Sequence, residues 1–413
     1  MNSSVLSFLT MLILPSVLMV VTPAIASDYT LGIFGNANMD DTIDEDDVAY
    51  VEGIIDGTNE ETELADAKHD GVIDEDDIVR IEQIIAGEEK ELTIIDSADR
   101  IVTIKKPVDK IIALNSDVAS AVKNLGSTDR VVGVSNVVLK KDYYFPELGD
   151  RQNVGYPEYD YEMILSLNPD LVINYGSGSY YEPKLLEMTE ALPDITIVGL
   201  DFYKQQSLRY EMDMLGYILD EEDEAKEYND WCGKYEDAVK ILVDSLDPGD
   251  RPRVFIATME GYPGALKTYG PGSGCDILCS LAGGINIAGD LSTTYPKVDS
   301  EWVISENPDV IITFGYGNQG WANMTEPENL KSDVLNTEEW AHLSAVENDR
   351  VYVCNYELLF GLDSVVGLTY WAKFLHPEFD LDSPEVIYRE YYEMLNEEYP
   401  EDLIQIYPSL EVR

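Results

Sequence analysis

From residue 93 onward, short apolar runs alternate with longer polar stretches, many of which have helical spacing. This alternation is typical of α/β folds, in which buried strands are followed by helices. A long polar stretch at 221–247 is rich in helix formers and ends at Pro248. The pattern therefore predicts two α/β lobes, 93–220 and 248–413, joined by one long helix at 221–247. The candidate strands are 110–114, 130–135, 170–174, 195–199, 252–257, 309–314 and 350–354.

An uncharged apolar run occupies residues 5–26 and ends in Ala24-Ile25-Ala26. Small residues of this kind are typical of a signal-peptidase cleavage site. We therefore expect residues 1–26 to be a signal peptide and the protein to be exported, to the extracellular space or the cell surface. The run is also long enough to span a bilayer, so an uncleaved anchor is the alternative. No cysteine follows the run, so we expect no lipid anchor, which together with the acidity fits an archaeal envelope.

Residues 30–90 contain an acidic sequence that recurs after 30 residues, each time before an apolar helical run. Oxygen ligands at loop positions 1, 3, 5, 7 and 12 are what Ca²⁺ requires. The pair resembles a dockerin, a small all-α domain with two Ca²⁺ loop–helix units that binds a cohesin partner. Acidic loops without metal are the alternative. The ligands that the spacing selects are Asn36, Asn38, Asp40, Thr42 and Asp47 in the first loop, and Asp66, Asp70, Val72 and Asp77 in the second.

Lys68 stands at a ligand position of the second loop. An ammonium cannot coordinate Ca²⁺. We therefore expect the second loop to bind metal more weakly than the first, or the lysine charge to replace part of the ion's charge.

The chain carries 80 Asp and Glu residues against 27 Lys and Arg, a formal net charge of -53. Such acidity argues against nucleic acid or anionic lipid as a partner, because both require a basic face. The four cysteines are too few for a disulfide framework, so we expect core residues or at most one bridge. None of the three histidines falls on a predicted strand-end loop, which disfavours a bare transition-metal site and haem with an axial histidine.

One sequence motif occurs in both predicted lobes, at 162–173 and at 301–312. Each copy begins with Glu and has Asn-Pro-Asp before an apolar strand. With blocks at 108–114, 154–157, 252–255, 272–278, 282–287 and 348–353, it resembles the class III substrate-binding proteins of iron-siderophore, haem and vitamin B12 importers. The resemblance implies two Rossmann-like lobes joined by a rigid helix. It also implies that Glu162 and Glu301 dock on arginines of an ABC permease. The alternative is that both are ordinary N-terminal helix glutamates favoured by the helix dipole.

Ligands of such sheets bind beyond the carboxyl ends of the strands. The loops there are rich in aromatic residues, which offer flat apolar faces to a large chelate. Cations are few, with Lys140, Lys141, Arg151, Lys267 and Lys297 as the candidates. The predicted cleft residues are Asn115, Ser116, Tyr156, Tyr175, Tyr180, Tyr181, Met259, Tyr262, Phe314, Tyr316, Tyr356 and Phe360.

The function expected from these features is capture of an iron-siderophore or related metal chelate for an ABC importer. A cobamide or haem is the alternative ligand. Catalysis is not expected, because no nucleophile elbow or metal-hydrolase motif is present. The alternative of another class is a dockerin-bearing envelope or scaffold-associated protein without a transport role.

Overall fold

The structure is a computed structural model that describes residues 29–178, 180–258, 265–315 and 320–408. The predicted signal segment, residues 1–26, lies outside these ranges. Within them, no helix is both long enough and apolar enough to cross a membrane.

The described residues form short strands and helices that alternate along both lobes. The strands are β1 Glu91–Ile95, β2 Ile101–Lys105, β3 Ile111–Ala113, β4 Val131–Val134, β5 Gln152–Asn153, β6 Leu171–Asn174, β7 Thr196–Gly199, β8 Arg253–Ile256, β9 Leu266–Lys267, β10 Ile285–Asn286, β11 Lys297–Val298, β12 Val310–Gly315, β13 Val351–Asn355 and β14 Ile406–Tyr407. The helices are α1 Glu45–Ile55, α2 Glu75–Ile85, α3 Ser116–Asn124, α4 Asn136–Leu139, α5 Tyr161–Leu167, α6 Tyr181–Ala191, α7 Leu208–Leu219, α8 Glu222–Asp244, α9 Gly274–Leu281, α10 Ser300–Glu306, α11 Thr325–Leu335, α12 Ser344–Glu347, α13 Ser364–Leu375 and α14 Pro384–Met394.

Each lobe is built on a five-stranded sheet with helices around it. The first sheet has the order β5-β4-β3-β6-β7, and all its pairs are parallel. The second has the order β10-β8-β12-β13-β14 and is parallel except for the β13–β14 pair. The central strands β6 and β12 are buried along their whole length, as strands covered on both faces must be. The predicted two-lobed α/β fold is therefore confirmed.

The 23-residue helix α8 connects the two sheets and packs against α7 and α13. Tyr228 on this helix is buried and donates a hydrogen bond to the carbonyl of Leu362 at 2.7 Å. Trp231, one turn further on, stacks on Tyr391 of α14 at 5.1 Å between ring centroids. The helix is therefore packed into the cores of both lobes along much of its length.

The N-terminal module, residues 29–90, packs directly on the first lobe. Leu31, Ile33, Val51 and Ile81 belong to the same buried cluster as the strands of that lobe. The backbone N–H of Ile43 donates to the hydroxyl of Tyr217 on α7 at 3.0 Å. We conclude that the module shares a core with the lobe instead of standing apart from it.

The four cysteines, Cys232, Cys275, Cys279 and Cys354, are all buried and none forms a disulfide. This confirms the prediction that they are core residues. Burial raises the pKa of each thiol, which keeps it protonated and unreactive.

Candidate functional site: the cleft between the lobes

The sequence motif that recurs at 162–173 and 301–312 folds into the same structure in both lobes. Helices α5 and α10 each begin with an aspartate cap: Asp160 accepts from the N–H of Met163, and Asp299 from that of Trp302, both at 2.9 Å. Both helices also end in an asparagine with positive φ, Asn168 at 48° and Asn307 at 45°. As a result, the two lobes present equivalent short helices before their central strands.

Glu162 and Glu301 occupy the same position in these two helices, in the first turn after the cap. Both side chains are exposed. Neither forms an ion pair with any residue that the structure describes. The two carboxylates are therefore accessible to a partner, which is the geometry that the docking hypothesis requires.

Tyrosines form a wall on the first lobe, just beyond β6 and β7. Tyr175 has its ring centroid 4.6 Å from that of Tyr181 and 4.8 Å from that of Tyr203. Tyr180 packs edge-on to Tyr181 at 5.1 Å. Tyr156 belongs to the same group. Its pKa is raised to about 12, first by burial and then by the nearby side chains of Tyr181 and Tyr180. The wall is built from neighbouring strand ends of one sheet.

A second aromatic group lies on the other lobe, beyond β12 and β13. Tyr356 contacts both Phe314, at 6.2 Å, and Phe360, at 5.1 Å. Tyr269 packs on Phe314 at 5.5 Å and on Tyr295 at 6.1 Å. Phe314 itself is only 3% exposed, so it supports this wall from behind.

The two aromatic groups come close to each other at the junction of the lobes, because Tyr295 affects the pKa values of tyrosines on the first lobe. Burial raises the pKa of Tyr203 to about 12, and Tyr295 of the opposite lobe contributes to that increase. Tyr295 also contributes, after burial and Tyr203, to the raised pKa of Tyr181. Tyr295 is 57% exposed, so its ring is accessible to a ligand between the walls.

Charged residues from both lobes meet at the floor of this junction. The ammonium of Lys141 lies 2.6 Å from the carboxylate of Glu357. Asp117 accepts a hydrogen bond from Tyr175, and burial raises the pKa of its carboxyl. Ser116 and Phe360, both predicted cleft residues, line the same small cavity of about 30 Å³. In the described part of the chain, the floor is thus nearly closed by side chains.

A buried polar group beside the floor ties the lobes together. Tyr144 of the first lobe donates to Asp363 of the second at 2.8 Å, and Tyr388 donates to the same oxygen at 2.9 Å. Burial raises the pKa of Asp363 to about 6. These contacts act with helix α8 to hold the lobes in one relative position.

The remaining predicted cleft residues and cations are distributed as follows. Asn115 is 6% exposed and caps α3, accepting from the N–H of Val118 at 2.9 Å. Lys267 lies over the ring of Tyr295 at 5.3 Å. Arg151 pairs with Asp150 at 2.9 Å, and Lys140 and Lys297 are exposed. Met259, Tyr262 and Tyr316 lie outside the described residues.

Several residues of the junction were missed by the sequence analysis. Tyr203 lies just beyond β7, so the strand-end rule that selected Tyr175 could have found it. Tyr295 lies between β10 and β11, where no strand-end rule applies. Glu357 carried no sequence signal, because its role depends on a contact across the junction.

The two acidic loops of the N-terminal module have matching hydrogen bonds. Asp47 accepts from the N–H of Asn38 at 3.0 Å and from that of Asp44 at 2.9 Å. In the second loop, Asp77 accepts from the backbone N–H of Lys68 at 3.0 Å and from that of Asp74 at 2.8 Å. The described residues contain no group of three or more His, Cys, Asp or Glu side chains placed to hold a metal ion. The first loop nevertheless offers amide and carboxylate oxygens, which are donors of the type that Ca²⁺ prefers.

Lys68 distinguishes the second loop from the first. Its ammonium lies 3.0 Å from the carboxylate of Asp70 and 2.9 Å from that of Asp76. The first loop has Asn38 at this position, whose amide bonds Asp40 at 2.7 Å. The second loop therefore contains a cation of its own.

Residues 111–358 match the model of the family described as periplasmic binding protein. The chain belongs to this family. The finding agrees with the two-lobed fold and confirms the class of protein expected from the sequence.

Relatives and solved structures show the same likeness. The chain is 28% identical over 221 residues to a cobalamin-binding protein of Halobacterium salinarum, a match that covers 51% of this chain and 55% of that relative. The chain therefore spans about half the length of this relative. It is 25% identical over 258 residues to a vitamin B12-binding protein of Vibrio cholerae, covering 61% and 83% of the two chains. The TroA-like periplasmic binding protein FepB of Veillonella parvula superposes with a TM-score of 0.65 at 22% identity, covering 76% and 98% of the two chains.

Proposed function

We propose that the protein is the substrate-binding component of an ABC importer and that it captures a metal chelate between its lobes. The observation that carries the proposal is the pair of aromatic walls, with Tyr181 and Tyr203 on one lobe and Tyr295 on the other. Flat apolar faces on both sides of a cleft suit a large ligand with a planar ring system.

Among chelates, a cobamide fits the charges of the junction better than an acidic siderophore or haem. Among the described residues at the floor, Asp117 and Glu357 place carboxylates around the ammonium of Lys141. A ligand with several carboxylates would be repelled there. A corrin ring carries neutral carboxamides, which donate to carboxylates and accept from an ammonium. The names of the two relatives with cobalamin and vitamin B12 ligands support the same choice.

An iron-siderophore remains the second candidate, and one observation favours it. Lys267 lies on the wall beside Tyr295, where an ammonium could meet an anionic group of such a ligand. Lys204 on the other lobe is engaged by Asp201 at 2.8 Å, so it is less available.

A thermal-shift comparison of cyanocobalamin, a ferric hydroxamate siderophore and haem tests this assignment. A ligand that binds only the folded state raises the unfolding temperature, and the stabilisation grows with the logarithm of one plus the ratio of ligand concentration to Kd. We expect cyanocobalamin to give the largest shift. A larger shift with the siderophore would mean that the ligand is a siderophore and not a cobamide. No shift with any of the three would overturn the proposed function.

Delivery to the permease is assigned to Glu162 and Glu301. Their equivalent positions place one exposed carboxylate on each lobe, so that a two-subunit permease could contact both at once. Charges at the rim of an interface fix orientation and speed association more than they add affinity.

The N-terminal module is assigned a tethering role, in which a dockerin-like fold with Ca²⁺ in its first loop binds a cohesin-bearing surface protein. The residues that would hold the ion are Asn36, Asn38, Asp40, Thr42 and Asp47, and the ion would cross-link the loop. This tether would keep an exported protein at the cell surface.

The tether is best tested with a surface substitution, because deletion of residues 30–90 would remove part of the core that the module shares with the first lobe. Val79→Glu alters an exposed apolar residue, 49% exposed, on α2. We expect it to lower the cell-associated fraction without lowering the unfolding temperature, whereas an unchanged fraction after full calcium removal would contradict the tether.

A further inference from the structure

A second cavity, which we call the rear cavity, lies away from the chelate cleft. It has a volume of about 450 Å³, against about 30 Å³ at the floor of the cleft. This volume is in the range of pockets that bind small molecules. Its lining comes from the first lobe at Arg209, from the linking helix α8, and from the second lobe at Arg251 and Leu281. An occupant would therefore contact both lobes and the helix at once.

The floor of this rear cavity is apolar. Val239 and Val243 on α8 and Leu368 on α13 are at most 6% exposed. Leu281 at the end of α9 is 40% exposed and forms part of the rim. Side chains placed in this way favour a ligand with an apolar body.

The end of the cavity on the first lobe has an excess of negative charge. The Arg209 guanidinium lies 3.9 Å from Glu236, and Gly233 leaves room for it against the helix. Asp237 adds a second carboxylate beside the same guanidinium. Two carboxylates around one guanidinium leave a net negative charge, which favours an ammonium at this end.

The other end, on the second lobe, has an excess of positive charge. Arg251 lines the cavity and has no ion-pair partner among the residues that the structure describes. Lys240 and Asp244, which also line the cavity, neutralise each other at 2.6 Å. Arg251 is therefore the cation available to a carboxylate, which it can bind through two parallel hydrogen bonds.

We infer that the rear cavity binds a short zwitterionic peptide with apolar side chains. Its ammonium lies near Asp237, its side chains lie on Val239 and Val243, and its carboxylate lies on Arg251. The inference does not depend on the identity of the chelate, because the two sites share no residue.

Isothermal titration calorimetry of the purified protein with the dipeptide leucyl-leucine tests this inference. Two capped forms serve as probes, because acetylation removes the ammonium and amidation removes the carboxylate. We expect saturable binding with one site, and about tenfold weaker binding for each capped form, since each loses a charge-assisted contact. Equal binding of the free and capped dipeptides, or no binding of the free one, would overturn the inference.

Three variants locate the site. Arg251→Gln should weaken the free dipeptide about tenfold but leave the amidated form unchanged, and Asp237→Asn should do the same with respect to the acetylated form. Lys226→Gln is the matched control, since Lys226 lies on the same helix, is 70% exposed and pairs with Asp230 outside the cavity. Binding that is equally weak in all three variants, or equally strong in all three, would contradict the proposed position.

Discussion

Lys141 and Glu357, which are 216 residues apart in the chain, form a 2.6 Å ion pair across the junction of the two lobes. Their side chains are 23% and 22% exposed, so the pair is shielded from water more than an ordinary surface pair. Asp117 stands close enough for Lys141 and Glu357 both to affect its pKa, after burial and its bond to Tyr175. The floor of the cleft is thus a charged contact between lobes.

Removal of the ammonium from this floor should lower the free energy of unfolding more than removal of one carboxylate does. Lys141→Met leaves Asp117 and Glu357 facing each other, whereas Glu357→Gln leaves the ammonium with Asp117. We expect a coupling energy on the order of 1–2 kcal/mol between Lys141 and Glu357 in a double-mutant cycle of urea unfolding. A coupling below about 0.5 kcal/mol, the value typical of exposed pairs, would show that the contact does not hold the lobes together.

Charge reversal at the two equivalent glutamates should separate transport from ligand binding. Glu162→Arg and Glu301→Arg should each lower chelate uptake by about tenfold or more, because like charges then meet at the permease. Chelate affinity in solution should not change, since both side chains are exposed and neither belongs to the aromatic walls. Glu190→Arg, on the exposed side of α6, is the control. If the control lowers uptake as much as the two docking variants, the effect is one of net charge alone.

Glu211 gives the first lobe a distinctive dependence on pH. Its side chain is fully buried and accepts from Ser97 and from the N–H of Asp201, and burial raises its pKa from 4.5 to about 8. The folded protein therefore keeps a proton that the unfolded chain releases near pH 4.5. The stability that this gives is complete below pH 4.5 and is lost as the pH rises through about 8.

Glu211→Gln, which resembles the protonated form, should therefore be less sensitive to pH than the natural protein. Between pH 5 and 8, the free energy of unfolding of the natural protein relative to the variant should fall by on the order of 1 kcal/mol per pH unit. Urea unfolding at several pH values measures this difference, with Glu190→Gln as an exposed control. A constant difference across the range would show that Glu211 is ionised in the folded protein.

The calcium stoichiometry should report the difference between the two acidic loops. We expect one Ca²⁺ per chain, because the ammonium of Lys68 already lies between Asp70 and Asp76. Lys68→Asn restores the residue type of the first loop and should raise the stoichiometry to two, while Asp47→Asn should remove the first ion. Lys90→Asn, an exposed change outside both loops, is the control. Two ions in the natural protein would contradict the role given to Lys68.

Much of the fold was predictable because buried parallel strands have a strong local pattern. All seven predicted strands are present, with β6 and β12 as the long apolar runs at the centres of the sheets. The five-residue strands β1 and β2 were not predicted, and neither were the two-residue strands β5, β9, β10, β11 and β14, since so few residues show no periodicity. The site was only partly predictable. Tyr175 and Tyr181 follow directly from a strand end, but Tyr295 and the Lys141–Glu357 pair depend on how two lobes meet.

Equilibrium dialysis against cyanocobalamin, with the natural protein and the variant Tyr181→Ala/Tyr295→Ala, tests whether the aromatic walls hold a corrinoid. We expect one bound corrinoid per chain, and affinity that is at least tenfold weaker when one aromatic residue is removed from each wall. Thermal unfolding of the unliganded variant verifies that it is folded. Tight binding of cyanocobalamin that is unchanged in the folded variant, or no binding by the natural protein, would contradict capture of a corrinoid between the two walls.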